Sequence, residues 1–171
     1  PGHRERKHRI RKGVGNMALR LKTRSEGDTF ALGRALGAFL HPGDALLLSG
    51  DLGTGKSVLA RGAAQALGVE GPMPSPSFNI MFPYEGRVPV YHFDLYRLSG
   101  PDEFYAAGLD EWFGGTGVCL VEWPETVELS LHPCLRAAIR RAENEGERFI
   151  DLETDGVSLD AAALGQWRTD A

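Results

Sequence analysis

The 171-residue chain is 42% hydrophobic and 25% charged, an ordinary composition for a soluble domain with a real core. It has no apolar run near the roughly 18 residues of a membrane helix, and its two cysteines are too few for a disulfide scaffold, so a reduced, cytoplasmic setting without a membrane is expected. The net charge of −4 is unevenly spread: residues 1 to 12 hold six Lys/Arg and one acid, and the remainder holds thirteen against twenty-two, a net of −9, which argues against holding a polyanion by charge alone.

In chain order, residues 1–16 read as a disordered basic extension, without the apolar stretch of a secretory signal. "ALRLKT", 18 to 23, alternates and predicts a strand with Leu19 and Leu21 on one face. Ser25 then offers an N-cap with an acid three residues on, and Leu32, Ala35, Leu36, Phe39 and Leu40 form the apolar face of a helix that "HPGD" should stop. "ALLL", 45 to 48, is a buried strand without alternation, as in a parallel sheet covered on both faces. Residues 56 to 67 predict a helix ended by Gly68. After the proline-punctuated loop "PMPSPS", "FNIMF" and "VPVYHFDLYRL" predict two strands joined around "YEGR". A short capped helix with Pro101 in its first turn follows, then a second continuous apolar strand, "GVCLVEW". "CLRAAIRR" and "RFIDLE" flank "AENEGE" as a closing hairpin, and "LDAAALGQW" predicts a short helix.

Between the first buried strand and the helix after it lies "GDLGTGKS", which matches G-x-x-x-x-G-K-[ST] at every fixed position. Glycines let backbone N–H groups of Asp51, Leu52, Gly53, Thr54 and Gly55 curl inward as an anion nest, and the helix aims its free N–H groups at the same phosphates. Lys56 would reach the β- and γ-phosphates, and Ser57 would place its hydroxyl on Mg²⁺. The chain has only four lysines, Lys7, Lys12, Lys22 and Lys56, so a lysine inside this loop stands out. A slim ammonium enters a closed nest where a guanidinium fork fits poorly. Two acids, Asp94 and Glu122, fall at the ends of apolar strands, where a metal-positioning or water-orienting carboxylate belongs. His92 reads as a packed strand residue rather than a base.

The expected architecture is α/β: a single P-loop NTPase-like domain, residues 17–155, with a central mixed, mainly parallel sheet flanked by helices and a C-terminal antiparallel hairpin. Residues 156–171 are expected as a tail or short helix.

Taken together, "GDLGTGKS", "SPSF", "VYHFDLYRL" and "CLVEWPE", in this order and spacing, resemble the bacterial TsaE (YjeE) family, P-loop ATPases of tRNA N6-threonylcarbamoyladenosine (t6A) biosynthesis. The resemblance runs from about residue 19 to 153. It implies that Ser57 and Glu122 hold Mg²⁺, that Asp94 is a second catalytic acid near the γ-phosphate, and that "SPSF", with Ser77 in place of the usual threonine, is a nucleotide-sensing loop. It further implies that Trp123 lies beside the nucleotide, Glu26 near the base, and Arg148 in contact with ATP. The implied partners are the threonylcarbamoyl-transferase subunit and its inactive paralogue (the TsaD and TsaB type), with tRNA reached through that complex, and ATP hydrolysis resetting the complex between cycles. Two other classes share the loop: a small-molecule or nucleotide kinase, disfavoured by a single arginine where a lid would lie, and a non-catalytic nucleotide sensor.

Overall fold

The computed structural model of the chain describes residues 16–74 and 79–169. The expected basic extension lies largely, and Ser77 wholly, outside the described residues.

Seven strands form one sheet in the order β1-β7-β6-β2-β5-β4-β3. β2 (Ala45–Ser49), β4 (Pro89–Asp94), β5 (Val118–Glu122) and β6 (Cys134–Arg141) are its parallel centre. β3 (Met81–Glu85) closes one side antiparallel to β4, and β7 (Arg148–Asp155) with β1 (Ala18–Thr23) closes the other. The period-two alternation of the central strands divides the core. Leu46, Leu48 and Leu120 pack under α1 (Glu26–Gly37) and α2 (Lys56–Ala66), while Ala45, Leu47 and Val121 face α3 (Pro101–Ala106) and Phe113. Both faces are covered, which is why β2 and β5 read as unbroken apolar runs.

Ser25 caps α1 as expected, its Oγ accepting from Asp28 N at 3.0 Å. The helix ends at Gly37, four residues before "HPGD". Phe39 N and Leu40 N donate to Leu36 O and Gly37 O, both at 3.1 Å. The last turn therefore tightens to 3-10 geometry and swings Leu40 onto the core. Strand β3 likewise begins at Met81 rather than within "FNI".

The closest packing is between α1 and α2. A Cβ added to Gly33 would lie 2.4 Å from Leu59 O, and one on Gly62 would lie 2.3 Å from Phe30 O. Gly62→Ala therefore sets helix propensity, worth up to about 1 kcal/mol in its favour, against forced separation of two buried helices, about 1–3 kcal/mol against. Net destabilisation is the expected result in urea denaturation, and a midpoint at or above the parent's would refute so close a crossing.

Past residue 155 the chain stays on the same core. Val157, Leu159, Leu164 and Trp167 are buried there, the last two on the 3-10 helix Ala161–Trp167. Trp167 Nε1 donates to Asp28 Oδ1 at 2.8 Å, tying this segment to the first turn of α1.

Candidate functional site

Strand β2 delivers the chain into residues 50–55, and α2 starts at Lys56. Gly50, Gly53 and Gly55 have φ of 142°, 74° and 110°, conformations that side chains resist. At Gly50 a Cβ would also meet Ile139 O at 2.4 Å, so glycine is required there twice over. Thr54 is buried and its hydroxyl donates to Asp51 O at 2.9 Å, closing the loop on itself. The β6–β7 hairpin grips the loop from outside: Arg141 Nη2 donates to Leu52 O at 2.8 Å and Arg148 Nε to Thr54 O at 2.7 Å.

Inside the loop, Lys56 Nζ donates to Gly50 O and, at 2.8 Å, to Asp51 O. It also stands 4.2 Å from the centre of the Trp123 ring. Burial lowers the Lys56 pKa, and this outweighs the opposing pull of Glu122, Glu125, Asp94 and Asp51. The ammonium is thus a desolvated cation held by neutral carbonyls, a poor substitute for anionic oxygens.

The two strand-end acids arrive together because β4 and β5 are parallel neighbours in which Asp94 pairs with Glu122. Glu122 is buried, and both its oxygens are engaged: Oε1 accepts from Ser57 Oγ at 2.9 Å, and Oε2 lies 2.6 Å from His92 Nε2. Burial pushes the Asp94 carboxyl above its ordinary value, the nearby Glu122 charge adds to the rise, and an N–H bond from Tyr96 at 3.1 Å works against it. Trp123, directly after Glu122, takes φ 59° and ψ 48°, a conformation that a bulky residue adopts only when its surroundings impose it. Its N–H to Leu48 O at 3.1 Å and its ring contact with Tyr96, 4.8 Å between centroids, are what impose it.

These groups open on a cavity of about 530 Å³. The loop, Asp94, Glu122 and Trp123 line it together with Glu26 and Thr29 of α1 and with Glu145, Gly146 and Arg148 of the hairpin. Sequence-selected residues from five separate segments therefore converge: Glu26, Leu52 to Ser57, Asp94, Glu122 with Trp123, and Arg148 all line it. Asp51 takes part through its carbonyl, which receives Lys56 and Thr54. Two contacts were not anticipated, His92 on Glu122 and Arg141 on the loop. The first was readable in principle, since His92 lies two residues before Asp94 and so on the same face of β4.

The comparisons agree. A family model described as "Threonylcarbamoyl adenosine biosynthesis protein TsaE" matches residues 23–150. The chain is similar to the tRNA threonylcarbamoyladenosine biosynthesis protein TsaE of Bacillus subtilis, 42% identical over 140 residues, covering 81% of this chain and 87% of that one. It is also similar to the protein of that name from Treponema pallidum, 38% identical over 134 residues, covering 78% and 99%. In three dimensions it matches the crystal structure of YdiB from Bacillus subtilis with a TM-score of 0.69 at 37% identity, over 83% of this chain and 88% of that one. With its glycine-built loop, paired strand-end acids and a match over most of its length, the chain belongs to the TsaE family of threonylcarbamoyl adenosine biosynthesis proteins.

Proposed function

We propose that the protein binds and hydrolyses ATP as a component of the tRNA t6A machinery in the cytoplasm, its turnover resetting the transferase complex between cycles. One observation carries the reading: Ser57 at the start of α2 and Glu122 at the end of β5 meet at 2.9 Å beside a lysine caged by its own loop.

The donor set suits magnesium. Among the described residues no group of three or more His, Cys, Asp or Glu is arranged as a metal site, so an ion would find here one hydroxyl and one carboxylate. Magnesium commonly takes one or two protein oxygens and fills its octahedron with phosphate oxygens and water. Ser57 and Glu122 would hold it, and the ion would neutralise charge developing on the transferred phosphoryl group. Lys56 would exchange its carbonyl partners for phosphate oxygens and recover the cost of its desolvation. Asp94, made more basic by burial, would orient the attacking water and take up its proton. Glu26 and Thr29 of α1 also line the cavity, and the nucleoside would lie against them.

The reading includes slow hydrolysis by the protein alone. The two arginines that the hairpin lays on the loop are occupied with backbone: Arg148 with Thr54 O and Glu147 O, Arg141 with Leu52 O. An arginine finger contributes about 10³ to 10⁵ in rate. The proposed partners, the transferase subunit and its inactive paralogue, would supply that charge or free one of these arginines to supply it. The test is turnover of ATP across a titration of the purified transferase pair. Weak activity alone and stimulation of at least about 100-fold is the expected outcome; a high rate indifferent to the pair would overturn the reading.

A further inference from the structure

His92 sits in β4, one strand in from the β3 edge of the sheet, 1% exposed, with one ring nitrogen on Glu122 and the other, Nδ1, without a hydrogen-bond partner among the described residues. A histidine chosen only for packing is costly here. A phenylalanine or leucine would fill the same space without an unpaired ring nitrogen, and an unpaired polar group in an interior costs about 1–3 kcal/mol. Val90 on the same face of β4 and Phe93 on the opposite one show that this chain fills such positions with hydrocarbon.

The contact itself explains the choice. An ionised carboxylate only accepts, so facing one Nε2 carries the hydrogen and donates it to Oε2 at 2.6 Å. Glu122 is then held at both ends, by Ser57 on Oε1 and by His92 on Oε2, and its plane cannot rotate without breaking one bond. Were Oε1 to turn toward a cation shared with a Ser57 lone pair, the bond from His92 to Oε2 would still keep the carboxylate in place. Sheet register makes this support rigid: the imidazole is mounted on β4 opposite Leu120, two residues before the Asp94–Glu122 pair.

We infer that His92 is a positioning residue for Glu122, fixing the carboxylate so that Oε1 is presented with Ser57 to a divalent cation. This rests on the proposed magnesium role of Ser57 and Glu122, and it adds a member that neither the loop motif nor the strand-end acids include. Partners of this kind orient ligating groups, and their loss costs about 10- to 100-fold in metal affinity.

Two substitutions isolate the role. In His92→Gln the side-chain amide can place an N–H near the position of Nε2. In His92→Asn the amide is shorter, reaches only the position of Nδ1, and leaves Oε2 without its donor. Both are polar and uncharged, so they share whatever folding cost the loss of the ring brings. The measurement is calorimetric affinity for a non-hydrolysable ATP analogue, with magnesium and with chelator, on the full chain. The parent should bind more tightly with magnesium. His92→Gln should keep most of that gain, and His92→Asn should lose at least about tenfold of it, while both bind the metal-free analogue within about twofold of the parent. Equal magnesium gains in the two variants overturn the inference, as does a parallel loss of metal-free binding in His92→Asn, which would mark a structural role. A parent that gains nothing from magnesium overturns the magnesium reading of Ser57 and Glu122 as well, so the two failures are distinguishable.

Discussion

Lys56→Ala is expected to weaken ATP binding by about a hundredfold or more and to abolish turnover, with little loss of folding stability. The two halves of this expectation come from the same geometry. The ammonium is buried inside the loop with two carbonyls and an indole face for company. Burial lowers its pKa below the ordinary 10.5, so at neutral pH the charged form is less favourable in the folded chain than in the unfolded one. By linkage, its contribution to stability improves as pH rises toward 10.5, where the unfolded chain holds the proton more tightly than the folded one. Deleting the charge removes that cost. Against this, the Gly50 and Asp51 carbonyls lose a donor, a loss of about 1 kcal/mol each that water in the open cavity can make good. A net change within about 1 kcal/mol follows. Phosphate binding has no such compensation: a charge-assisted contact of about 3 kcal/mol disappears, and about 2.7 kcal/mol is a factor of 100. Calorimetric titration with ATP, beside urea denaturation of the same variant, checks both halves. Unchanged affinity would remove Lys56 from the site, and collapse of the fold would show that its two loop contacts matter more for stability than its desolvation.

How much of this could be seen in the sequence depends on the distance over which each feature is specified. The glycine loop was legible because each fixed position of its motif answers a local demand: Gly50 and Gly55 stand where φ is positive, as does Gly53 between them, and Ser57 follows the lysine on the first turn of α2. Asp94 and Glu122 were legible because each terminates an apolar run, and two parallel neighbours that end together put their last residues side by side. Glu26, Trp123 and Arg148 were reached through resemblance rather than pattern, and all three stand on the cavity wall.

What escaped was specified across elements. Nothing local to "GRALG" announces that Gly33 must admit the backbone of a helix twenty-six residues on, since a glycine in a helix reads first as a lapse in propensity. The end of α1 was misplaced for a related reason. Phe39 and Leu40 continue the apolar spacing past the last α-helical turn, and periodicity does not distinguish an α turn from the 3-10 turn that delivers them. His92 was read as packing because alternation assigns it to the interior, which is correct; its bond to Glu122 depends on which strand lies next to β4. Arg141 and Arg148 sit on opposite arms of a hairpin, and only its register, with Arg141 facing Arg148, brings both onto the loop. Contacts of this class follow from topology, and topology is the part of a fold least determined by any short stretch.

The substitution that separates binding from chemistry is Glu122→Gln. It keeps volume and hydrogen-bonding capacity at a residue 4% exposed, so the fold should survive it. The amide oxygen can still accept from His92 or from Ser57, and the altered half faces a hydroxyl or a ring nitrogen rather than hydrocarbon. What it removes is one negative charge from the group that, with Ser57, would hold the metal. On the proposed reading, binding of the metal-free nucleotide would rest mainly on the loop amides and Lys56, which this change leaves alone, so affinity for ATP in chelator should stay within a few-fold of the parent, and the loss in binding should be confined to the gain that magnesium brings. The bond-breaking step differs, because charge moves onto phosphate oxygens and a correctly placed cation is stabilising only if its ligands hold it there. Loss of even an outer-shell partner to a metal ligand costs 10- to 100-fold, and loss of the ligand's own charge should cost at least about 100-fold in kcat. The magnesium concentration for half-maximal turnover should rise in parallel. Steady-state assays with the transferase pair present, run at several magnesium concentrations, read both quantities. At saturating magnesium, a drop in kcat with KM nearly unchanged is the pattern of an interaction made in the transition state. A rise in KM with kcat preserved would instead place Glu122 in nucleotide binding, and parental values of both would reduce it to the acid that ends β5.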